Sequence, residues 1–368
     1  MFRPSTRPGS GARACLSTLA VGATVMLTVA GCKVQFSGAA SSPAPGGSPA
    51  TVAVPSAAPS SSGDPATGTL RSGTLVVEPS GGFSGVYNLI NGAKHSIDVT
   101  MYEFSDTTAE RDLAAAAARG VQVRVILDQR EKSTNDAAYR YFTDHKVGVV
   151  WSSASYEYTH QKTMVVDDSE AVIMTANLTS KYYATSRDFL VTDSGPADIS
   201  AIVAVFDADY AHRSVTPSDG SDLVWSPGSQ DQLLAVINGA TKSLRIYSEE
   251  MGDTTVEDAL IAAAKRGVTV QVCGENADGE YDSDFSRLSR GGVQVSYFSS
   301  STGFYIHGKV IEADYGTAHA RAFIGSENFS STSLSRNREL GLITSSPAIL
   351  SAIATTFASD FQHGKRVS

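Results

Sequence analysis

The sequence predicts an α/β protein made of two similar halves, and the first observation that predicts it is an internal repeat. The segment INGAKHSIDV, from Ile90, aligns with INGATKSLRI, from Ile237, at an offset of 147 residues. The segment DTTAERDLAAAAARGVQVRVI, from Asp106, aligns with DTTVEDALIAAAKRGVTVQVC, from Asp253, at the same offset of 147. Self-similarity at a fixed offset indicates one structural unit used twice.

The order of patterns within each copy is the second observation. An alternating segment precedes an alanine-rich helical segment, and a second alternating segment follows it. We expect Thr108 or Thr255 to cap the helix, and Gly120 or Gly267 to end it. Strand, helix and strand in succession predict a βαβ unit and a largely parallel or mixed sheet with flanking helices.

The first 31 residues are predicted to be a secretion signal. Three arginines, Arg3, Arg7 and Arg13, precede the apolar run LSTLAVGATVMLTVAGC, which is short for a membrane span. The run ends in VAGC, which resembles a bacterial lipobox, so Cys32 is predicted to carry lipid. A plain signal peptide with an incidental cysteine is the alternative, and the protein would then be secreted.

Residues 32–70 are predicted to form a disordered tether. Within residues 37–68, 27 of 32 residues are Ser, Pro, Ala or Gly, a composition that buries too little apolar surface to fold. Random-coil scaling gives such a segment a reach of about 30 Å. The folded part, predicted as halves 71–215 and 216–368, would then lie at the outer face of the bacterial cytoplasmic membrane.

Charge and cysteine content restrict the possible partners. Removing residues 1–31 takes away three arginines and no acid, so the formal net charge changes from −9 to −12. This balance is a poor match for a long polyanion such as duplex DNA. Of the three cysteines, Cys15 would be cleaved and Cys32 lipidated, which leaves Cys273 as a buried thiol without a disulfide partner.

The repeat also contains a polar motif. HQKTMVVD, from His160, and HGKVIEAD, from His307, are again 147 residues apart, whereas His95, His145 and His212 have no histidine at that offset. The copies continue at an offset of 151. There Thr175 corresponds to Ser326, Asn177 to Asn328 and Asp188 to Glu339.

These paired H-x-K-x4-D elements, each followed by G-S-x-N or a near form, closely resemble the phospholipase D superfamily over about residues 75–365. The resemblance implies two α/β halves related by a pseudo-two-fold axis, with both motifs at one cleft between them. One departure is MTAN in the first copy, where Met174 replaces the small residue. We expect this change to tune the pocket without abolishing activity.

The resemblance also implies roles. His160 would be the nucleophile that forms a phosphohistidine and His307 the acid and base, with the reverse assignment left open. The resemblance implies phosphate contacts for Lys162, Lys309, Asn177, Asn328, Thr175 and Ser326. Asp188 and Glu339 would each hold the far nitrogen of a histidine, and Asp167 and Asp314 would support the motifs. A His-x-Lys pair is a poor chelate because a protonated lysine repels a cation, so no metal or cofactor is predicted.

The substrate is less well defined by the motifs, which do not separate lipid from nucleic acid. A lipid anchor and an acidic balance favour a phospholipase that hydrolyses phospholipid headgroups, with transfer of the headgroup left open. A secreted metal-independent endonuclease is the alternative, and a non-catalytic binding protein is a more distant one. A lipid synthase is disfavoured because no membrane-spanning segment follows the signal. Two motifs in one chain predict that a monomer is complete.

Overall fold

The computed structural model describes residues 73–367. The predicted signal at 1–31, the lipidation site Cys32 and the predicted tether at 32–70 lie outside the described residues. Within 73–367, no helix is both long and apolar enough to cross a bilayer.

The first half contains eight strands and four α-helices in the described range. In chain order they are β1 (Leu75–Val77), α1 (Ser84–Gly92), β2 (Ser96–Met101), α2 (Thr107–Ala118), β3 (Gln122–Leu127), α3 (Lys132–Asp144), β4 (Gly148–Trp151), β5 (Lys162–Val166), β6 (Glu170–Met174), β7 (Ser186–Arg187), β8 (Phe189–Asp193) and α4 (Pro196–Tyr210).

The second half repeats this order with small additions. Its elements are β9 (Leu223–Ser226), α5 (Gln230–Gly239), β10 (Ser243–Ser248), α6 (Thr254–Lys265), β11 (Thr269–Glu275), α7 (Asp282–Arg290), β12 (Gln294–Phe298), β13 (Tyr305–Ile306), β14 (Val310–Ala313), β15 (Arg321–Gly325), α8 (Ser331–Ser335), β16 (Glu339–Thr344), α9 (Pro347–His363) and β17 (Lys365–Arg366). The predicted boundary between residues 215 and 216 lies in the loop from α4 to β9.

Each half is built on one large sheet. The first sheet has the strand order β1-β8-β6-β5-β2-β3-β4, and the second has the order β17-β12-β11-β10-β14-β15-β16-β9. The prediction of two similar α/β halves is confirmed. The sheets are mixed rather than largely parallel, because only β2, β3 and β4, and likewise β10, β11 and β12, pair in parallel. The hairpins that follow each motif pair antiparallel.

The N-cap of the helix that follows β2 lies two residues before the predicted cap, Thr108. Asp106 is the N-cap of α2 and accepts hydrogen bonds from the backbone N–H groups of Thr108 and Ala109. Asp253 does the same for α6. Aspartate is a strong N-cap because its carboxylate satisfies free N–H groups and favours the positive end of the helix dipole. The predicted threonine caps were therefore wrong, whereas Gly120 and Gly267 do follow the helix ends with positive φ.

Three buried apolar clusters hold the elements together. One packs α1, α2 and α3 on the outer face of the first sheet, and its equivalent packs α5, α6 and α7 on the second. The third joins the inner faces of both sheets with α4 and α9. Cys273 of β11 lies in this central cluster as a free, fully buried thiol.

Short cross-half pairings align the two sheets at one end. Strand β7 of the first half pairs in parallel with β13 of the second. Its counterpart is a parallel bridge between Thr159 and Arg338. Because β7 precedes Asp188 and β13 precedes His307, these pairings determine which side chains of the two halves meet.

Candidate active site

The two histidines lie at the edge of the sheets where the parallel strands end. His160 precedes β5, whose first residue, Lys162, pairs with Met101 at the end of β2. His307 precedes β14 in the equivalent position of the second sheet. In open α/β sheets the carboxyl ends of the strands are the usual place for a ligand site. Both histidines are buried, with 7% and 5% of their surface exposed.

Each histidine is held by an acid from the opposite half. Glu339 Oε2 lies 2.8 Å from His160 Nδ1, and Asp188 Oδ1 lies 2.7 Å from His307 Nδ1. In the sequence, each acid follows the motif of its own half. In the fold, each acid contacts the histidine of the other half. Neither half therefore contains a complete histidine–carboxylate pair.

Backbone pairing explains the exchange. The N–H of His307 donates to the carbonyl of Arg187, and the N–H of His160 donates to the carbonyl of Arg338. Arg187 and Arg338 are the residues immediately before Asp188 and Glu339. A histidine that is hydrogen-bonded to the residue before an acid has that acid beside its ring.

Further hydrogen bonds stabilise both acids as carboxylates. Asp188 also accepts from the hydroxyls of Thr175 and Ser186. Burial raises the pKa of Asp188, but the charge and hydrogen bond of His307 outweigh it and lower this pKa to about 2.

The second acid has equivalent support. Glu339 accepts from Ser333 Oγ at 2.7 Å and from Asn337 Nδ2 at 2.9 Å. Burial raises the pKa of Glu339, but His160 and Lys162 bring it below its usual value. Both acids are therefore ionised near neutral pH and can accept the Nδ1 proton of their histidines.

Burial lowers the pKa of His160, and Lys162 adds to the effect, although Glu339 opposes it. A neutral imidazole that donates from Nδ1 to Glu339 has its lone pair on Nε2. The arrangement thus presents the Nε2 of His160 as a nucleophilic nitrogen.

The motif lysines lie inside the site. Lys162 and Lys309 are fully buried, and each Nζ lies 2.5 Å from the carbonyl oxygen of the histidine in its own motif. Two buried ammonium groups beside two imidazoles form an anion site, because a phosphate between them would receive charge-assisted hydrogen bonds.

The site geometry agrees with a family-model match to this chain. Residues 86–210 and 233–361 match the model described as cardiolipin synthase, PLD-like domain. The two matched segments contain both motifs and both acids. The chain belongs to the phospholipase D superfamily. Residues 86–210 lie within the first half and 233–361 within the second, so the phospholipase D-like unit is present twice.

Among curated proteins, the chain is 29% identical over 127 residues to the probable cardiolipin synthase YwiE of Bacillus subtilis. That alignment covers 33% of this chain and 25% of the relative, so the chain spans a quarter of the length of the curated protein it matches.

Two solved structures share the fold. A phosphatidylserine synthase from Haemophilus influenzae Rd KW20 aligns with a TM-score of 0.63 and 13% identity, covering 80% of this chain and 87% of that one. A polyphosphate kinase from Porphyromonas gingivalis aligns with a TM-score of 0.61 and 16% identity, covering 78% of this chain and 50% of that one. At such identities these similarities show the fold alone.

The hydroxyls predicted to contact phosphate have other partners in this phospholipase D-like site. Thr175 Oγ1 donates to Asp188 at 2.6 Å and accepts from the N–H of Phe189. Ser326 Oγ accepts from the N–H of Leu340. Both residues are fully buried. Their contacts indicate that they position Asp188 and β16 rather than reach an entering phosphate.

The two asparagines remain candidates for phosphate contact. Asn328 is 3% exposed, and no donor in the described range reaches its side-chain oxygen. Asn177 Oδ1 accepts a long hydrogen bond of 3.4 Å from the N–H of Glu103. The amide nitrogen of each side chain is the atom that can donate to a phosphate, because the amide oxygen only accepts.

We expected Met174 to tune the pocket, but it does not face the site. It is fully buried in the apolar cluster of the first half and pairs with Leu190 across β6 and β8. The equivalent pair in the second half is Gly325 with Gly341, where a Cβ on Gly325 would lie 2.5 Å from the Cα of Gly341. A pair of larger residues, Met174 and Leu190, therefore takes the place of two glycines within the sheet, and Met174 does not line the pocket.

The motif aspartates hold a turn instead of entering the site. Asp167, with φ of 52°, accepts from the backbone N–H groups of Lys94, His95 and Ser96. Asp314, with φ of 55°, makes the same contacts with residues 241–243. Each aspartate ties the end of the motif strand to the start of the neighbouring strand.

Sequence reasoning missed two acids that position the histidine segments. Asp128, after β3, accepts from the N–H of Thr159 at 2.6 Å, and Glu275, at the end of β11, accepts from the N–H of Ile306 at 3.1 Å. Thr159 and Ile306 are the residues immediately before the two histidines. The signal was available, because Asp128 and Glu275 are also 147 residues apart.

It also missed two buried ion pairs that join the halves. Arg187 contacts Asp360 of α9 at 2.7 Å, and Arg338 contacts Asp209 of α4 at 2.9 Å. Both the arginines and the aspartates repeat at the 151-residue offset. Within residues 73–367, no group of three or more His, Cys, Asp or Glu side chains has an arrangement that could hold a metal ion.

Proposed function

We propose that this protein is a phosphodiesterase of the phospholipase D type, which cleaves phospholipid headgroups through a phosphohistidine and passes the phosphatidyl group to water or to an alcohol. The observation that carries the proposal is the pair of buried histidines, each held at Nδ1 by a carboxylate of the opposite half. Such a pair provides a nucleophile and an acid for the same phosphodiester.

The chemistry then takes two steps. Nε2 of His160 attacks phosphorus, the bond to the headgroup oxygen breaks, and His307 gives its proton to the departing alkoxide. Water or an alcohol next attacks phosphorus, His307 takes the proton back, and the bond to His160 breaks. Lys162 and Lys309 would stabilise the charge on the phosphoryl oxygens, where a single lost donor typically costs about 3 kcal/mol.

The names of similar proteins support transfer of the phosphatidyl group to an alcohol more strongly than the sequence did. The matching family model and the curated relative are both described as cardiolipin synthases, and one solved structure with the same fold is a phosphatidylserine synthase. All three names denote the synthesis of a phospholipid rather than its hydrolysis. We therefore propose that an alcohol acceptor competes with water in the second step.

The proposed setting is a membrane surface outside the cell. The predicted lipid on Cys32 and the predicted tether would hold the site near phospholipid, without a second subunit, since one chain supplies both histidines and both acids. A phospholipid is the proposed partner, and nucleic acid takes its place only if the endonuclease alternative holds.

The test uses the purified chain with phosphatidylcholine vesicles and added ethanol, and with plasmid DNA in a parallel reaction. Mass spectrometry measures phosphatidate and phosphatidylethanol. We expect both products, and we expect H160A and H307A to lose both. H145A is the matched control, because His145 is exposed at the end of α3 and contacts only its own helix in the described range.

Intact lipid together with DNA nicked in a His160-dependent reaction that EDTA does not inhibit would replace the phospholipase with the endonuclease. No cleavage of either substrate would favour a binding protein on this scaffold.

A further inference from the structure

The two halves of the site differ at the position that follows β2 in one half and β10 in the other. Tyr102 follows the last residue of β2, and Glu249 follows the last residue of β10, at the 147-residue offset. The histidines, lysines, asparagines and orienting acids, by contrast, have chemically similar counterparts in the opposite half. A neutral aromatic ring in one half and a carboxylate in the other therefore break the symmetry of the site.

Glu249 lies between the two catalytic groups of the second motif. Its Oε2 is 2.5 Å from Lys309 Nζ and 3.6 Å from His307 Nε2, and its Oε1 accepts from the hydroxyl of Tyr305. Glu249 is 4% exposed. Nε2 is the nitrogen of His307 that Asp188 leaves unoccupied, so a carboxylate faces each nitrogen of this ring.

The negative charge resides on Glu249 rather than on its neighbour. Burial raises the pKa of Glu249, but His307 and Lys309 outweigh burial and keep this pKa well below its usual value. Burial, followed by the charge of Glu249, raises the pKa of Glu250 to about 7. Glu249 thus remains a carboxylate throughout the neutral range.

Tyr102 gives His160 a different environment. Its ring lies edge-on to the imidazole, with centroids 4.5 Å apart, and its face lies 4.8 Å from Lys162 Nζ. Its hydroxyl points away to Glu131. His160 therefore has one carboxylate, at Nδ1, and a neutral ring at its side, and burial together with Lys162 lowers its pKa although Glu339 opposes them.

The groups that face His307 come from five parts of the fold. They are Asp188 before β8, Glu249 after β10, Lys309 before β14, Tyr305 of β13 and, at longer range, Glu103 after β2. Three of these are carboxylates and one is a cation, which is itself paired with Glu249. One carboxylate therefore lies near each ring nitrogen, Asp188 at 2.7 Å from Nδ1 and Glu249 at 3.6 Å from Nε2.

We propose that Glu249 is a positioning residue that holds the proton on Nε2 of His307, and that it thereby makes His307 the acid and leaves His160 as the nucleophile. This role deepens the proposed function and rests on it for the identity of the reaction. When the headgroup alkoxide departs, the proton passes from Nε2 of His307 to that oxygen, and Glu249 stays ionised and paired with Lys309.

The first test follows the ring directly and needs no substrate. The full chain with isotope-labelled histidine is titrated by NMR, and H307Q identifies the His307 signal. We expect the imidazolium of His307 in E249Q to lose its proton at a pH about one unit or more below that of the wild type. E249D should restore much of the difference. E257Q is the matched control, because Glu257 is another buried acid of the second half and is paired with Arg287 of α7 instead of with a histidine.

The second test uses the leaving group. An alkoxide needs the proton of His307, whereas p-nitrophenolate is stable enough to leave without it. We expect E249Q to lose 10- to 100-fold in kcat/KM on phosphatidylcholine and less than threefold on phosphatidyl-p-nitrophenol. The basic limb of its pH profile on phosphatidylcholine should move to lower pH.

The two tests separate the two proposals. An unchanged titration of His307 in E249Q, or equal losses on both leaving groups, would overturn the role of Glu249 even if the enzyme is a phospholipase. A shifted titration in a chain that cleaves no phospholipid would support the contact between Glu249 and His307 and overturn the proposed substrate.

Discussion

At the scale of single residues, the site depends on which nitrogen of each histidine is engaged. Glu339 and Asp188 each occupy an Nδ1, so each Nε2 remains for chemistry. A carboxylate can only accept at this position, and that property fixes the tautomer of the ring.

Replacing Glu339 with glutamine should therefore disturb the nucleophile more than the fold. The amide can donate to Nδ1 of His160 and favour the tautomer whose Nε2 carries a proton. We expect kcat to fall on the order of 10³- to 10⁴-fold, and the melting temperature to change by only a few degrees. Headgroup release and thermal unfolding measure the two effects. An E339Q enzyme with near-normal kcat would show that Glu339 does not orient the nucleophile.

The pH dependence follows from the lowered pKa of His160, which burial causes and Lys162 reinforces. Because the neutral form is the nucleophile, activity persists to lower pH than an ordinary histidine, with a pKa of about 6.5, would allow. We expect the acidic limb of kcat/KM to lie below pH 6.5. A limb at or above that pH would mean that His160 is not a buried neutral nucleophile.

Most of the residues at the site could be predicted, and the reasons for the omissions are physical. The repeat identified the histidines, lysines, asparagines and both orienting acids, because their chemistry is the same in each copy. It could not single out Glu249, since its counterpart is Tyr102 and an unmatched position in a repeat looks like ordinary divergence. Nor could it show that Thr175 and Ser326 are used by neighbouring groups, because a hydroxyl suits either role.

At the scale of elements, the ends of β3 and β11 position the loops that precede the histidines. Asp128 accepts from Thr159 and from two N–H groups of its own loop, and Glu275 accepts from Ser300 and Ile306. These hydrogen bonds join two segments of backbone that belong to no common strand.

Replacing Asp128 with alanine should release the segment that precedes His160. Three buried or partly buried N–H groups would lose their acceptor, at a cost of about 1–3 kcal/mol each if water cannot replace it. We expect lower stability and a fall in kcat of about 10- to 100-fold with a smaller change in KM. D128N, which retains one acceptor oxygen, should recover part of both losses. Normal kcat in a destabilised D128A chain would show that the loop position does not matter for the chemistry.

Sequence patterns predicted the helices and central strands of each half well, since apolar periodicity reports directly on a buried face. They left open whether the sheets are largely parallel or mixed, and the structure has mixed sheets. The βαβ order is visible as a pattern along the chain, whereas the antiparallel pairing of β5 with β2 joins residues about 65 positions apart and leaves no local signal. The predicted N-cap of α2 lay two residues after the observed one, because Asp106 and Thr108 both have side chains that suit a cap.

At the scale of the whole molecule, two equivalent ion pairs hold the halves together. The side chains of Arg338 and Asp209 are 1% and 9% exposed, and those of Arg187 and Asp360 are 12% and 9% exposed. Aromatic rings cover both guanidinium groups, Tyr156 on Arg338 and Phe304 on Arg187. These aromatic residues precede the histidines, and their contacts are with the interface.

Breaking one of these pairs should destabilise the protein strongly. In R338M the carboxylate of Asp209 stays buried without its cation, which typically costs about 3–5 kcal/mol. The double variant R338M/D209L should recover more than half of that loss, because two apolar side chains of similar volume can replace a buried pair. Chemical denaturation measures both.

The exposed pair of Arg140 and Asp136 is the control, and R140M should change stability by less than about 1 kcal/mol. Equal effects of R338M and R140M would show that the buried pair does not hold the halves.

The exchange of acids between the halves is the feature that the sequence could not reveal. Each acid follows its own motif by a similar distance in the chain, and pairing within a half is equally consistent with that spacing. Only the parallel contacts of β7 with β13, and of Thr159 with Arg338, bring Asp188 to His307 and Glu339 to His160. The exchange makes both halves necessary for one site.

His160 and His307 form this single site, and we propose that His160 receives the phosphatidyl group. The most direct measurement is to react wild-type and H307A chains with phosphatidyl-p-nitrophenol, quench them within one turnover, and map the adduct by mass spectrometry of peptides. We expect a phosphatidyl adduct on His160 in both chains, longer-lived in H307A because the base for the second step is missing, and none in H160A. An adduct on His307 in the wild type, or rapid turnover with no adduct on either histidine, would contradict this proposal.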